Sequence, residues 1–169
     1  MIIGNGSVAN SIRELDRDDI IYFASGVSNS SCKDDKEFQR EVDLLNQMDV
    51  NKHLVYFSNL AIYYKNDPYT NHKIKMEELI RNTFNSYTIV RIEVCEWVNT
   101  PTTILNVFKE KMKNNEPIII QDTTRYVLSL KEFHYWLKLI PIGRKNEMNV
   151  LGRKMTIQEI VDNIKLGLL

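Results

Sequence analysis

Two groups of residues have types and spacings that could do chemistry. The first is Tyr69 and Lys73, four apart and so on one face if their segment is helical. A nearby ammonium favours phenolate and lowers a tyrosine pKa from its usual value of about 10. A tyrosine tuned in this way trades a proton with a substrate hydroxyl or carbonyl, and the lysine can donate to a ribose hydroxyl. With 8 tyrosines in the chain a Tyr-x-x-x-Lys pair is unsurprising by chance, and an ordinary surface pair is the plain alternative. The second group is Gly4-Asn5-Gly6-Ser7-Val8-Ala9, a G-x-G-x-x-A turn that follows an apolar run and opens a helical pattern. That is the context of a dinucleotide fingerprint. Gly4 makes the tight turn, Gly6 lets a pyrophosphate approach the backbone, and Ala9 lets helix and strand pack closely. The N–H groups at the helix start then face the phosphates. The alternative is a glycine turn that joins a strand to a helix. The acidic residue such fingerprints carry about 20 residues on has no counterpart, because Asp18 and Asp19 precede the next strand.

The elements that must position these residues alternate between strand and helix. Met1–Ile3 is a short apolar run, and Val8, Ile12 and Leu15 recur at helical spacing behind it. Ile20–Ala24 is a continuous apolar run of strand length, as expected for a strand buried on both faces. A Ser, Gly and Asn-rich loop leads to a helix with Phe38, Val42 and Leu45 on one face. Leu54–Phe57 is the next strand. Pro68 then suits the first turn of the helix that carries Tyr69 and Lys73, with Met76, Leu79 and Ile80 inward. Tyr87–Val94 is a strand, Thr102–Lys113 and Leu130–Leu139 are helices, and Pro117–Ile120 and Met148–Leu151 are short apolar or extended pieces. Thr156 and Glu159 form a capping box for a final amphipathic helix. This order predicts an α/β domain with a parallel sheet covered by helices on both faces, its strands joined by right-handed crossovers.

Composition narrows the function. The chain has 169 residues, 43% of them hydrophobic, which fits one globular domain. Lys plus Arg is 22 and Asp plus Glu is 22, so there is no basic surplus of the kind a phosphate-tracking nucleic-acid binder needs. Cys32 and Cys95 cannot build a disulfide framework, and neither has a partner at zinc-ligand spacing, so no metal is expected. A reduced compartment fits two lone cysteines. The segment MIIGNG has no basic start followed by an apolar stretch of signal length, and no run approaches the ~20 apolar residues of a membrane span. The expectation is a soluble cytoplasmic protein.

Taken in order, the pieces resemble the extended branch of the short-chain dehydrogenase/reductase superfamily, the nucleotide-sugar epimerases and dehydratases. IIGNGSVA is similar to the family's opening glycine turn, IIYFASG to the strand that flanks the cofactor, and LVYFSNLAIYY to the serine-ended strand. PYTNHKIKMEELI is similar to the Tyr-x-x-x-Lys helix and YTIVRIEV to the arginine-bearing strand after it. TTRYVLSLKEFHYWL and MNVLGRKMTIQEIVDNI resemble the substrate-side and closing segments. The resemblance covers nearly the whole chain. It implies a single Rossmann-like domain over residues 1–169, with a cofactor-binding core at 1–98 and a small substrate-side part at 99–169.

The resemblance implies NAD or NADP as cofactor and a nucleotide-linked sugar as the small-molecule partner, with oxidoreduction, epimerisation or dehydration as the reaction. Tyr69 is then the acid/base, Lys73 tunes it and holds the nicotinamide ribose, and Ser58 is the third catalytic member. Gly4, Asn5, Gly6, Ser7, Val8 and Ala9, with Ala24, Ser25 and Gly26, line the cofactor, and Arg125 meets the nucleotide diphosphate. It also implies a homodimer through the helices at Lys36–Met48 and Tyr69–Asn82, with Phe38, Leu45 and Met76 as interface candidates. This chain departs from the family in two ways. Between Ala9 and Ile20 there is room for a short loop only, where the family has two more strands and a helix that hold the adenosine ribose. Leu60 stands where the family places a hydrogen-bonding Ser or Thr. Those departures keep a second reading open: a catalytically inactive homologue that binds a dinucleotide or sugar nucleotide as a regulatory or structural protein. His72 is expected at the surface, while His53, His134 and Cys95 are expected to be structural.

Overall fold

A computed structural model describes residues 1–169. Five parallel strands make the main sheet: β1 (Ile2–Ile3), β2 (Ile20–Phe23), β3 (His53–Asn59), β4 (Tyr87–Ile92) and β7 (Lys145–Asn149), in the order β1-β2-β3-β4-β7. The intervening β5 (Val94–Cys95) and β6 (Thr124–Leu128) form a second sheet with β8 (Arg153–Thr156), parallel between β5 and β6 and antiparallel between β6 and β8. The helices are α1 (Ser7–Ser11), α2 (Asp35–Leu45), α3 (Pro68–Thr83), α4 (Ile104–Lys113), α5 (Leu130–Lys138) and α6 (Ile157–Lys165). None of them is long and apolar enough to cross a membrane.

The apolar runs of β2, β3 and β4 are buried throughout because both faces of the sheet are covered. Alternate residues serve opposite layers. Ile21, Phe23, Leu54, Tyr56 and Ile89 pack with Leu45 of α2 and Met76 and Ile80 of α3. Ile20, Tyr22, Val55, Phe57 and Val90 pack with Ile12, which follows α1, and with Phe133 and Leu137 of α5. A third cluster, from Val94 to Val161, joins the second sheet to α4 and α6.

This layering corrects the expectation of uniform crossovers. All four steps along the sheet run in one direction between parallel strands, yet α2 and α3 cover one face while α1 and α5 cover the other. The connections through α1 and α5 therefore have the opposite hand to those through α2 and α3. The short span before β2 supplies the reason for α1. No strand lies beyond β1, which is the sheet edge. The chain leaving α1 thus returns at once to β2 without crossing to the other face.

Of the apolar residues expected at an interface between copies, Leu45 and Met76 belong to the monomer core, and Phe38 is half-buried. Leu45 is 1% exposed and Met76 is fully buried, and Phe38 stacks on His72 with ring centroids 4.5 Å apart. The outward face of α2 carries Lys36, Gln39, Arg40 and Asp43, with Leu44 half-buried beside them. Pro117–Ile120 forms neither strand nor helix.

His53, at the start of β3, is held as a neutral ring. Its Nδ1 accepts from the Gly143 N–H at 3.3 Å, which leaves Nε2 as the donor to Thr88 Oγ1 at 3.0 Å. Burial lowers its pKa below 6.5, against a smaller opposing pull from Asp19. The unfolded chain therefore binds the proton more readily, and stability is lost as pH falls through that value. Urea titrations at about pH 7.5 and 5.5 are expected to show a smaller loss for His53→Gln than for wild type.

Candidate functional site

The glycine turn is fixed by Gly4. Its φ is +123°, and a Cβ there would lie 2.5 Å from the Ala24 carbonyl oxygen at the end of β2. Gly4→Ala is expected to cost more than the ~1–3 kcal/mol of backbone strain alone, because the clash falls on backbone; the denaturation midpoint measures it. Asn5 accepts from Asn10 through its carbonyl. Gly6 is the N-cap of α1 with no side-chain cap, and a Cβ on it would meet nothing within 4 Å, so the backbone in front of α1 is open to an approaching group. Ser7 opens the helix, and Ala9 is buried.

A cleft of about 430 Å³ runs along the carboxyl ends of β2, β3 and β4, where parallel sheets bind ligands and within the usual size range of small-molecule sites. Val8, Ala24 and Gly26 border it from the glycine turn and the loop after β2. Ser58, Asn59, Tyr69 and Lys73 border it from β3 and α3, and Arg125 from β6. Gly4, Asn5, Gly6, Ser7, Ala9 and Ser25 do not line it directly. Thr100, Thr102 and Thr103 close the side toward α4.

Local sequence places Tyr69 and Lys73. Asp67 caps α3 through the Thr70 N–H, Thr70 reciprocates to the Asp67 N–H, and Pro68 takes the first turn. Such a cap contributes about 1 kcal/mol and fixes where the helix begins. Tyr69 thus faces inward at 5% exposure and Lys73 follows one turn later at 2%. The Lys73 ammonium lies 5.8 Å from the Tyr69 ring centre, but it does not tune the phenol as the spacing led us to expect. It is bound to the buried carboxylate of Glu41, 3.0 Å from Oε1, and to the Tyr56 hydroxyl at 3.0 Å. Burial therefore pushes the Tyr69 phenol well above 10, Glu41 pushes the same way, and the Asn59 side chain opposes.

Glu41 escaped the sequence reading, as did the burial of His72. Glu41 is 0% exposed and accepts from four donors: Val27 N–H (2.7 Å), Tyr56 OH (2.7 Å), His72 Nε2 (2.9 Å) and Lys73. Burial alone would raise its pKa. Lys73, His72, Val27 and Tyr56 outweigh burial and hold the carboxyl well below 4.5. The signal was present in the helical pattern. Glu41 stands three residues after Phe38 and four before Leu45, inside the apolar stripe, where an unpaired charge is excluded. His72, expected at the surface, is buried because α2 supplies both its acceptor and its stacking partner.

A second charged network takes up Ser58. Its hydroxyl donates to Glu77 Oε1 at 2.7 Å, and Glu77 also accepts from Arg91 and Arg81. Arg81 and Arg91 in turn hold Glu147, whose pKa drops to about 2. Leu60, in the short turn after β3, is buried. The polar side chain beside the Tyr69 phenol is thus Asn59, whose Oδ1 also caps that turn through the Ala61 N–H. Arg125 is paired with Glu93 at 3.4 Å and lies over the Tyr64 ring. Cys95 borders the cleft, but burial pushes its thiol up to about 12. No cluster of three His, Cys, Asp or Glu side chains is placed to hold a metal ion.

No protein-family model matches the chain, and no curated protein matches it either. Solved structures do share its fold. The Bordetella bronchiseptica enzyme WbmG, crystallised with NAD and UDP, superposes with a TM-score of 0.66 at 14% identity over 88% of this chain and 56% of that one. The enzyme WbmH of the same organism, with NAD+, gives 0.69 at 12% identity over 89% and 58%. The dTDP-4-dehydrorhamnose reductase of Bacillus anthracis, with NADP, gives 0.65 at 17% identity over 92% and 65%. The chain therefore spans little more than half the length of the first two. The shared architecture is the shortened Rossmann-like sheet anticipated from the order of the motifs.

Proposed function

We propose that the cleft binds NAD or NADP together with a nucleotide-linked sugar, and that the chain carries out oxidoreduction of that sugar with Tyr69 as the proton-transfer group. The observation that carries this reading is the convergence of Val8, Ala24, Gly26, Tyr69 and Lys73 on one cleft at the strand ends. The residues fit the nicotinamide half of a dinucleotide. Gly4 holds the turn against β2, and the space before Gly6 is free for a pyrophosphate. Lys73 has three N–H donors; Glu41 Oε1 and the Tyr56 hydroxyl take those at 3.0 Å, and the longest contact, 3.4 Å to Glu41 Oε2, is the one a ribose hydroxyl would replace. The adenosine half has no strand beneath it beyond β1. Bound nicotinamide supplies hydride transfer. The work of the chain is then to hold the sugar carbonyl near Tyr69 and to move one proton at its phenol oxygen. Because the phenol is kept protonated, it acts as a general acid toward an oxygen that gains negative charge, the direction of reduction.

A second reading, an inactive binding protein, is favoured by Ser58 and Leu60. The Ser58 hydroxyl is spent on Glu77, and Leu60 cannot donate. One polarising donor is then missing, commonly a cost of ~2.7–4 kcal/mol in the barrier. Fluorescence titration with NADH and NADPH tests the binding common to both readings, and we expect dissociation constants weaker than micromolar. Absence of binding by either cofactor rejects both. Consumption of NADH or NADPH with UDP- and dTDP-linked keto sugars separates the enzyme from the inactive homologue.

A further inference from the structure

Glu41 neither gives nor takes the proton in the transfer proposed above, yet it joins two of the elements that border the cleft, the loop after β2 and α3. It projects from α2, and its four donors come from the loop after β2, from β3, and from two successive residues of α3. The contact is close. A Cβ on Gly26 would lie 2.7 Å from Glu41 Oε1 and 2.8 Å from Lys73 Nζ, so the loop rides directly over the ion pair because residue 26 has no side chain. Phe38, one helical turn before Glu41, stacks on His72 and closes the outer side. Gly26, Val27 and Lys73 all border the cleft, so moving the carboxylate moves three of its walls.

We propose that Glu41 is a positioning residue: it clamps the Gly26–Val27 loop to α3 and fixes the Lys73 ammonium at the wall of the cleft. The proposal builds on the reading of the cleft as a nicotinamide site. A structural anchor remote from the ligand would affect stability alone. A clamp also sets the affinity of the cleft and the opening of the loop.

The test compares wild type with Glu41→Gln, Glu41→Asp and Gly26→Ala. Each is checked by its melting temperature, titrated with NADH by nicotinamide fluorescence, and followed by hydrogen exchange at the Val27 amide. The Gln variant lacks the charge that draws Val27 and Lys73 together. It is expected to bind NADH more than about tenfold more weakly and to exchange Val27 more than about tenfold faster, the size of a lost hydrogen bond to a charged group. The Asp variant, still anionic, is expected to recover part of both. Gly26→Ala keeps every charge and pushes loop and pair apart, so it shifts both readouts in the same direction. A folded Gln variant with wild-type affinity and wild-type exchange overturns the clamp. If the Gln variant does not fold, Gly26→Ala decides by the same two measurements. If wild type binds neither NADH nor NADPH, the cofactor reading fails by itself. Val27 exchange needs no ligand and then decides the clamp: unchanged exchange in the variants rejects it.

Discussion

Lys73→Met is expected to destabilise the fold by about 3–5 kcal/mol at neutral pH, the cost of removing one partner from a buried ion pair. Methionine keeps the length and the apolar stem, so packing in α3 is retained and the loss is electrostatic. Glu41 stays enclosed, with Val27, Tyr56 and His72 as donors but without its fixed cation. Burial penalises its charge, and Lys73 is the strongest of the groups that outweigh burial. Once the ammonium is gone, the carboxyl pKa rises from its wild-type position. In wild type the folded pKa of Glu41 lies below its ordinary 4.5, so its contribution is complete above that value and is lost as pH falls below it. In the variant the folded pKa lies closer to 4.5, so the contribution is smaller and less of it is left to lose in acid. Urea titrations at about pH 7 and 3.5 are expected to show the gap between variant and wild type narrowing at the lower pH. The double variant Glu41→Gln, Lys73→Met removes both charges and is expected to regain most of the stability. A single variant as stable as wild type would show that the pair does not hold α2 and α3 together.

The fold was legible in the sequence where one physical signal dominated. The uninterrupted apolar runs of β2 and β3 are what a doubly covered strand requires, and the Gly4 turn is demanded by a φ that glycine alone adopts easily. The Thr156–Glu159 capping box stands where its spacing put it. The second sheet was not legible. β8 has one buried residue, Met155, and β6 has two, Val127 and Leu128, too few to set up a period. Of the candidate site, the nearness of Tyr69 and Lys73 to the strand ends was legible, and the partners of Lys73 were not. Tyr69 and Lys73 reach the cleft because Pro68 and Asp67 start α3 at a defined residue. What Lys73 binds depends on Glu41, 32 residues earlier, and spacing along the chain carries no trace of such a pair. A charge within an apolar stripe, at Glu41 and again at Glu77 between Lys73 and Ile80, was the available sign. It says that a partner must exist without saying which.

Tyr69→Phe is expected to abolish most turnover while leaving NADH affinity unchanged. The ring keeps its packing at the start of α3, and only the phenol oxygen is lost. That oxygen is the proton donor of the proposed reduction, and losing a positioned acid typically costs about 10²–10⁴ in rate. The environment of the phenol makes a further demand on the pH profile. Burial, helped by Glu41, holds it protonated well above 10, and Lys73 is tied to Glu41 instead of serving as its counter-charge. The rate of reduction is therefore expected to stay level through neutral pH, with no falling limb of the kind a phenol titrating near neutrality would give. A profile that falls across neutral pH would mean that ligand binding draws Lys73 from Glu41 toward Tyr69 and lowers the phenol pKa. The measurement is the initial rate of NADH or NADPH consumption with UDP- and dTDP-linked keto sugars, for wild type and Tyr69→Phe, across that range. In an inactive binding homologue wild type shows no turnover and the variant binds as wild type does. If wild type turns over and Tyr69→Phe keeps its rate, the acid is another group and Tyr69 serves the cleft by its ring alone.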